Sequence, residues 1–182
     1  MTRKEFQERY LVRKLDFEDS VTSFDCGDED LNDFIINEAN LYRREFLAVT
    51  YTVEDKNTNE VVAYFSLAND KISIADFESK TDFNRFRKSK FVNEKRLRSY
   101  PAIKIGRLGI AKSIQHQSVG TYLLEFIEEY FLIDNKSGCR FVTVDAYVEA
   151  IPFYIKNSYQ FLNNDDEDQH TRVMFFDLAS LR

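Results

Sequence analysis

The sequence predicts an α/β protein with a mixed sheet, and three observations carry that expectation. Short blocks rich in Val, Ile, Thr, Tyr and Phe recur along the chain, as strands require. Between the blocks Ala102–Ile110 and Phe141–Ala146, apolar residues fall at helical spacing. The element order is strand, helices, hairpin, strand, loop, helix, strand, helix, strands. The unit from Ala102 to Ala146 is therefore expected to be a right-handed parallel crossover.

Tyr10–Leu15 alternates as a first strand, and Phe24-Asp25-Cys26-Gly27 reads as a turn. Asp28 or Asp30 can cap a helix carrying Leu31, Phe34, Ile35, Leu41 and Tyr42 on one side. Phe46–Glu54 and Glu60–Leu67 flank the polar turn Asp55–Asn59 and read as an antiparallel hairpin. Lys71–Tyr100 is the least patterned stretch. Within it Arg85–Arg98 is strongly basic with Phe86 and Phe91 interleaved, and reads as helix plus loop. Ala102–Ile110 is a strand broken by Gly106 and Gly109, and Gln115–Gly120 is a polar loop. Val119, Tyr122, Leu123, Phe126, Ile127, Tyr130 and Phe131 then form one apolar stripe. Asp134–Gly138 ends that helix, and Phe141–Ala146 is a buried-type strand. Ala150–Lys156 is a short helix. Phe161–Leu162 and Arg172–Asp177 are late strands around an acidic turn, Asn163–Asp168.

With 182 residues and no linker composition or repeat, the chain reads as one domain over 1–182. Hydrophobic residues at 43% and charged residues at 31% are ordinary for a soluble globular protein. Net charge is −6 and the pI is near 5.1, which argues against a nucleic-acid partner without excluding a local basic patch. The cysteines, Cys26 and Cys139, form no CxxC pair, so neither a disulfide framework nor a zinc site is expected. The charged start and the absence of a long apolar run lead to the expectation of a cytoplasmic protein with no signal peptide and no membrane span. His116 and His170 read as surface histidines, the Asp165–Asp168 cluster as a solvated turn, and no metal is expected. No G-x-S-x-G is present to support serine-hydrolase chemistry.

A strand feeding a polar loop and then a helix gathers backbone N–H groups at a helix N-terminus, a geometry that binds phosphate. Here the residues carry a resemblance. Ile105-Gly106-Arg107-Leu108-Gly109-Ile110, followed by Gln115-His116-Gln117-Ser118-Val119-Gly120-Thr121-Tyr122-Leu123-Leu124, resembles motif A of the GNAT superfamily of N-acetyltransferases. Val144-Asp145-Ala146 and the segment Pro152–Phe161 are similar to the family's late strand and its FYxKxGF helix end. Phe24-Asp25-Cys26-Gly27 with Leu31 and Phe34 is similar to the start of a subgroup that includes toxin-like members.

The resemblance implies a single GNAT domain: a mixed, mostly antiparallel sheet with one parallel crossover, flanked by helices. It implies acetyl-CoA as cosubstrate, with the pantetheine arm along the backbone of Leu108, Gly109 and Ile110. The pyrophosphate would sit on the N–H groups of Gln115, His116, Gln117, Ser118, Val119, Gly120 and Thr121. Tyr154 matches the family tyrosine that protonates the departing thiolate. The implied reaction is acetylation of a primary amine by direct attack, on an unidentified acceptor. One alternative is toxin-like acetylation of aminoacyl-tRNA, favoured by the Cys26-Gly27 start and the Arg85–Arg98 run and opposed by the pI. Another is a non-catalytic acyl-CoA-binding module. A homodimer is compatible with the resemblance.

Three positions depart from the family pattern. Ser118 replaces the first motif glycine, so its backbone is expected to avoid glycine-only geometry. Ser158-Tyr159 replaces Gly-Phe, so the turn after the catalytic helix is expected to differ. The strand Ala102–Ile110 carries Lys104 and Arg107 where some members have a glutamate base.

Overall fold

A computed structural model describes residues 1–91, 97–133, 135, 138–163 and 170–182. The Asp165–Asp168 cluster and the centre of the Arg85–Arg98 run lie outside the described residues, as does most of Asp134–Gly138. Among the described residues one seven-stranded sheet has the order β1-β2-β3-β4-β5-β7-β6. Its strands are β1 (Tyr10–Lys14), β2 (Val49–Asp55), β3 (Val61–Ser73), β4 (Ser99–Ile110), β5 (Phe141–Tyr147), β6 (Gln160–Phe161) and β7 (Thr171–Asp177). The pairs β1–β2, β2–β3, β5–β7 and β6–β7 are antiparallel. The pair β4–β5 is parallel, as the crossover reading expected. The mixed α/β architecture is therefore borne out. The chain divides into two compact units, Met1–Ala68 with Ile105–Glu129, and Asn69–Lys104 with Tyr130–Arg182.

The first unit opens with a helix that the sequence patterning did not announce, α1 (Arg3–Arg9). Its cause is local. Thr2 and Glu5 form a reciprocal capping box that satisfies two N-terminal N–H groups. Asp28 caps α2 (Glu29–Asp33) by accepting from the Leu31 N–H. A π-helical turn at Phe34–Glu38 then leads into α3 (Ala39–Arg44). Phe34, Ile35 and Ala39 pack with Leu15, Val21, Phe24 and Tyr64 in one apolar cluster. Leu41, expected on that face, is 56% exposed, because the π-turn changes the helical phase after Ile35. Phe46 and Leu47 are solvent-facing rather than the start of a strand. Phe46 stands at φ 57° and ends α3, and β2 begins at Val49.

The β2–β3 hairpin forms in the register Val49↔Leu67 to Val53↔Ala63. β3 continues to Ser73, past the expected end at Leu67. β4 is continuous through Gly106 and Gly109, which do not break it. Helix α5 (Val119–Ile133) lays Leu123, Leu124 and Ile127 into the core, and Phe126 meets Phe65 at 6.0 Å between ring centroids. Tyr130 is 39% exposed, so the apolar stripe stops short of the helix end.

In the second unit α4 (Lys80–Lys90) is capped by Ser79. Phe83 and Phe86, spaced for one helix face, join Ile72, Tyr100, Phe141 and Phe175 in an aromatic cluster. Short helix α6 (Ile151–Lys156) begins with Pro152 in its first turn, where a missing N–H costs nothing.

Gly109 shows how tightly the first unit is packed. A Cβ placed there would lie 2.6 Å from Cε1 of Tyr64 and 3.1 Å from Cε1 of Phe24. Both rings belong to the buried cluster and cannot swing away. Gly109→Ala is therefore expected to destabilise the protein by about 1–3 kcal/mol, read as a lower urea midpoint. An unchanged midpoint would show that the rings yield.

Candidate functional site

The segment Ala111–Thr121 joins β4 to α5 and is braced entirely from the first unit. The Ala111 N–H donates to Val62 O at 2.8 Å, and the Lys112 N–H donates to Asp25 O at 3.0 Å. A 3-10 turn spans Lys112–Ile114, with Ile114 buried. The Gln115 side-chain amide donates to Cys26 O at 2.8 Å and to Ile110 O at 2.9 Å. Lys112 Nζ pairs with Asp25 Oδ2 at 2.9 Å. That ammonium, with the Gly27 N–H, holds the exposed Asp25 carboxyl below the usual carboxylate range.

These contacts give Phe24-Asp25-Cys26-Gly27 a function that sequence reasoning missed. The motif is a buttress for the loop, 87 to 89 residues further along the chain. Phe24 packs beside Gly109, Asp25 and Cys26 receive Lys112 and Gln115, and Gly27 turns the chain at φ 94°. Asn32 Oδ1 accepts from the Cys26 N–H at 2.9 Å and ties the motif to α2.

Beyond Gln115 the loop opens. His116, Gln117 and Ser118 are exposed, and Val119 and Gly120 are buried in the first turn of α5. Tyr122 is the first residue of α5 whose N–H closes a turn, onto Ser118 O at 3.2 Å. Among the described residues, the N–H groups from Gln115 to Thr121 donate to no protein acceptor. No acidic side chain occupies the first turn of α5. Orphan donors and the helix dipole thus meet no acidic side chain of their own first turn, an arrangement that favours binding phosphate. Leu108, Gly109 and Ile110 end β4 immediately before the loop, with Leu108 and Ile110 half-buried.

Ser118 and Ser158, which stand where the resembled motifs carry glycine, adopt glycine-favoured backbone. Ser118 stands at φ 66° and His116 at φ 60°, so the expectation that Ser118 avoids this region is corrected. Ser158 stands at φ 67°. Its N–H donates to Ile155 O and the Tyr159 N–H donates to Tyr154 O, each at 3.0 Å, which is the Schellman closure of α6. A glycine suits that position, and Ser158 fills it. Local hydrogen bonds there offset the cost of a Cβ at positive φ. Ser118→Gly should accordingly leave the fold intact and stabilise it by up to about 1 kcal/mol, with acetyl-CoA affinity unchanged or slightly higher. Calorimetry showing a large loss of affinity would instead make the Ser118 hydroxyl a phosphate ligand.

Tyr154 lies on α6 and is 5% exposed. Its ring packs edge-on against Phe153 and Tyr159 at 5.1 and 5.3 Å. Burial pushes its phenol well above the usual range, so the hydroxyl keeps its proton at every assay pH. Among the described residues that hydroxyl has no hydrogen-bond partner. Lys104 on β4 is engaged by Asp145 on β5. Burial pushes the Cys139 thiol up to about 11 and raises the Cys26 thiol, so neither is a ready nucleophile.

No protein-family model matches the chain, and no curated protein matches it. Solved structures do match. AtaT complexed with acetyl-methionyl-tRNAfMet superimposes with a TM-score of 0.75 at 21% identity, covering 94% of this chain and 96% of that one. AtaTR bound with acetyl-CoA gives 0.75 at 21% identity, covering 96% of each. A tyrosine-to-phenylalanine variant of KacT gives 0.75 at 20% identity, covering 95% and 97%. The chain shares their fold over nearly its whole length, and the expectation of a GNAT fold is borne out.

Proposed function

We propose that this protein is an acetyl-CoA-dependent N-acetyltransferase whose acceptor is the α-amine of an aminoacyl-tRNA. The observation that carries the cofactor is the run of unsatisfied N–H groups from Gln115 to Thr121 at the start of a helix with no first-turn acid. The acceptor rests on similarity of fold to a protein complexed with acetyl-methionyl-tRNAfMet. The acidic net charge of −6 opposed this acceptor in the sequence alone. A global balance does not decide the matter, because α4 carries a local basic surface.

In this proposal the loop holds the cofactor's diphosphate, with Leu108, Gly109 and Ile110 along the pantetheine. The acceptor ammonium first loses a proton to water. The neutral amine then attacks the thioester carbonyl carbon, forming the C–N bond as the C–S bond breaks. The electron pair leaves on sulfur, where the Tyr154 hydroxyl donates a hydrogen bond to the developing thiolate; the acylated nitrogen releases its extra proton to water, and the thiolate takes up a proton and departs as CoA thiol. The protein's share is chiefly positioning and one placed donor. The scheme calls for no metal and no covalent enzyme intermediate.

Release of CoA thiol from acetyl-CoA tests the proposal. It is expected on adding members of a panel of aminoacyl-tRNAs and not on adding the same tRNAs uncharged. Equal release with charged and uncharged tRNA, or none with any member, contradicts the acceptor. If an amine-bearing small molecule alone triggers release, the enzyme class stands and the tRNA acceptor falls.

A further inference from the structure

In the second unit a cavity of about 380 Å³ opens between α4 and the strand β6. Its apolar walls are Phe77, Phe86 and Phe161, and its polar rim includes Arg85, Asp82 and Glu78. Phe77 and Phe86 lie 5.2 Å apart between centroids and are fixed in the aromatic core. Phe161 is different. It sits on a two-residue strand at the sheet edge and is 39% exposed. The Arg172 guanidinium, 4.6 Å from its ring centroid, holds it in place and adds positive charge.

The adjoining helix is charged out of keeping with the chain. Helix α4 carries Lys80, Arg85, Arg87, Lys88 and Lys90 against the single acid Asp82, in a protein of net charge −6. The Asp82 carboxylate is itself committed to Arg85 at 3.0 Å and accepts from the Ser79 hydroxyl. An exposed ring beside a cavity, with cations along the adjoining helix, matches how single-stranded nucleic acid is held. Bases stack on aromatic faces while phosphates follow the positive surface.

We propose that this cavity receives an unpaired base of the RNA acceptor, stacked on Phe161, with the phosphates running along α4. The Glu78 carboxylate at the rim can accept the exocyclic amine of cytosine or adenine, which favours those bases. The inference rests on the aminoacyl-tRNA reading and adds the surface that holds the RNA. Chain connectivity keeps the two compatible. Phe161 lies seven positions after Tyr154, so their Cα atoms are at most about 25 Å apart, within the span of a few nucleotides.

The test is fluorescence anisotropy with labelled, uncharged tRNA across a salt series, on the full chain. Phe161→Ala should weaken binding about tenfold, while Phe161→Tyr, which keeps a stacking face, should bind like wild type. Arg85→Gln should reduce the slope of log affinity against log salt by about 1. Acetyl-CoA affinity should be unchanged in all three, and matching melting curves establish that they fold. Wild-type affinity in Phe161→Ala together with a wild-type slope in Arg85→Gln overturns the proposal. Loss of a protein partner by these variants with tRNA binding intact also overturns it, and makes the cavity a protein-docking site. Acetyl transfer to aminoacyl-tRNA by the wild type, with Phe161→Ala unaffected in tRNA binding, removes this surface alone. Tight tRNA binding through the cavity without transfer removes the catalytic reading alone. No tRNA binding at low salt removes both.

Discussion

Tyr154→Phe is expected to lower turnover by about a hundredfold or more while leaving the fold and acetyl-CoA affinity almost unchanged. The substitution keeps the ring that packs against Phe153 and Tyr159 and deletes only the hydroxyl. That hydroxyl has no hydrogen-bond partner among the described residues, so its removal leaves no orphaned group behind. Burial keeps the phenol protonated above its ordinary value near 10, so it serves as a donor throughout the assay range. A buried phenol is a poor source of a free proton, but a hydrogen bond to a departing thiolate stabilises charge where it develops. The rate should therefore fall at all pH values alike, with no new break in the pH profile. Single-turnover kinetics on a charged tRNA make the comparison while chemistry limits the rate. Near-wild-type turnover would return Tyr154 to the role of a packed core aromatic.

Gly120→Asp is expected to weaken acetyl-CoA binding by on the order of a hundredfold. Gly120 lies in the first turn of α5, inside the run of free N–H groups. A carboxylate there would share the space proposed for the diphosphate. Two like charges about 4 Å apart repel by about 1 kcal/mol in water and about 4 kcal/mol at a protein surface, and a hundredfold lies between. The same carboxylate suits a helix N-terminus, so the helix itself is not weakened. Gly120 is buried, however, and Gly120→Ala is the companion variant that isolates the Cβ from the charge. Gly120→Ala should bind more tightly than Gly120→Asp. Equal affinity of wild type and Gly120→Asp by calorimetry would move the diphosphate away from this loop.

The parts of the site that were legible in sequence are those where a local pattern coincides with a local structure. The strand, loop and amphipathic helix from Ala102 to Ile133 could be read because periodicity changes from strand to helix around the loop Gln115–Gly120. Helix α1 was equally local, since Thr2-x-x-Glu5 spells its capping box, yet the short charged run after it carries a single buried residue, Phe6. Helix α4 was blurred because Phe83 is its only buried residue, within a run of charges that continues past its end. The bracing of the loop by Phe24–Gly27 was not legible at all. It consists of bonds between residues 87 and 89 positions apart, which no periodicity records. The positive φ of Ser118 and Ser158 was hidden for another reason: serine carries no signature of left-handed backbone, whereas glycine does.

In the proposed reaction acetyl passes from acetyl-CoA to the amine of an aminoacyl-tRNA. Its most direct test is to incubate wild type and Tyr154→Phe with acetyl-CoA and charged tRNA, digest the RNA, and identify the terminal aminoacyl-adenosine by mass spectrometry. N-acetylated aminoacyl-adenosine is expected with wild type, and little of it with Tyr154→Phe in the same time. Aminoacyl-adenosine left wholly unacetylated by a wild-type protein that binds acetyl-CoA would contradict the proposed reaction.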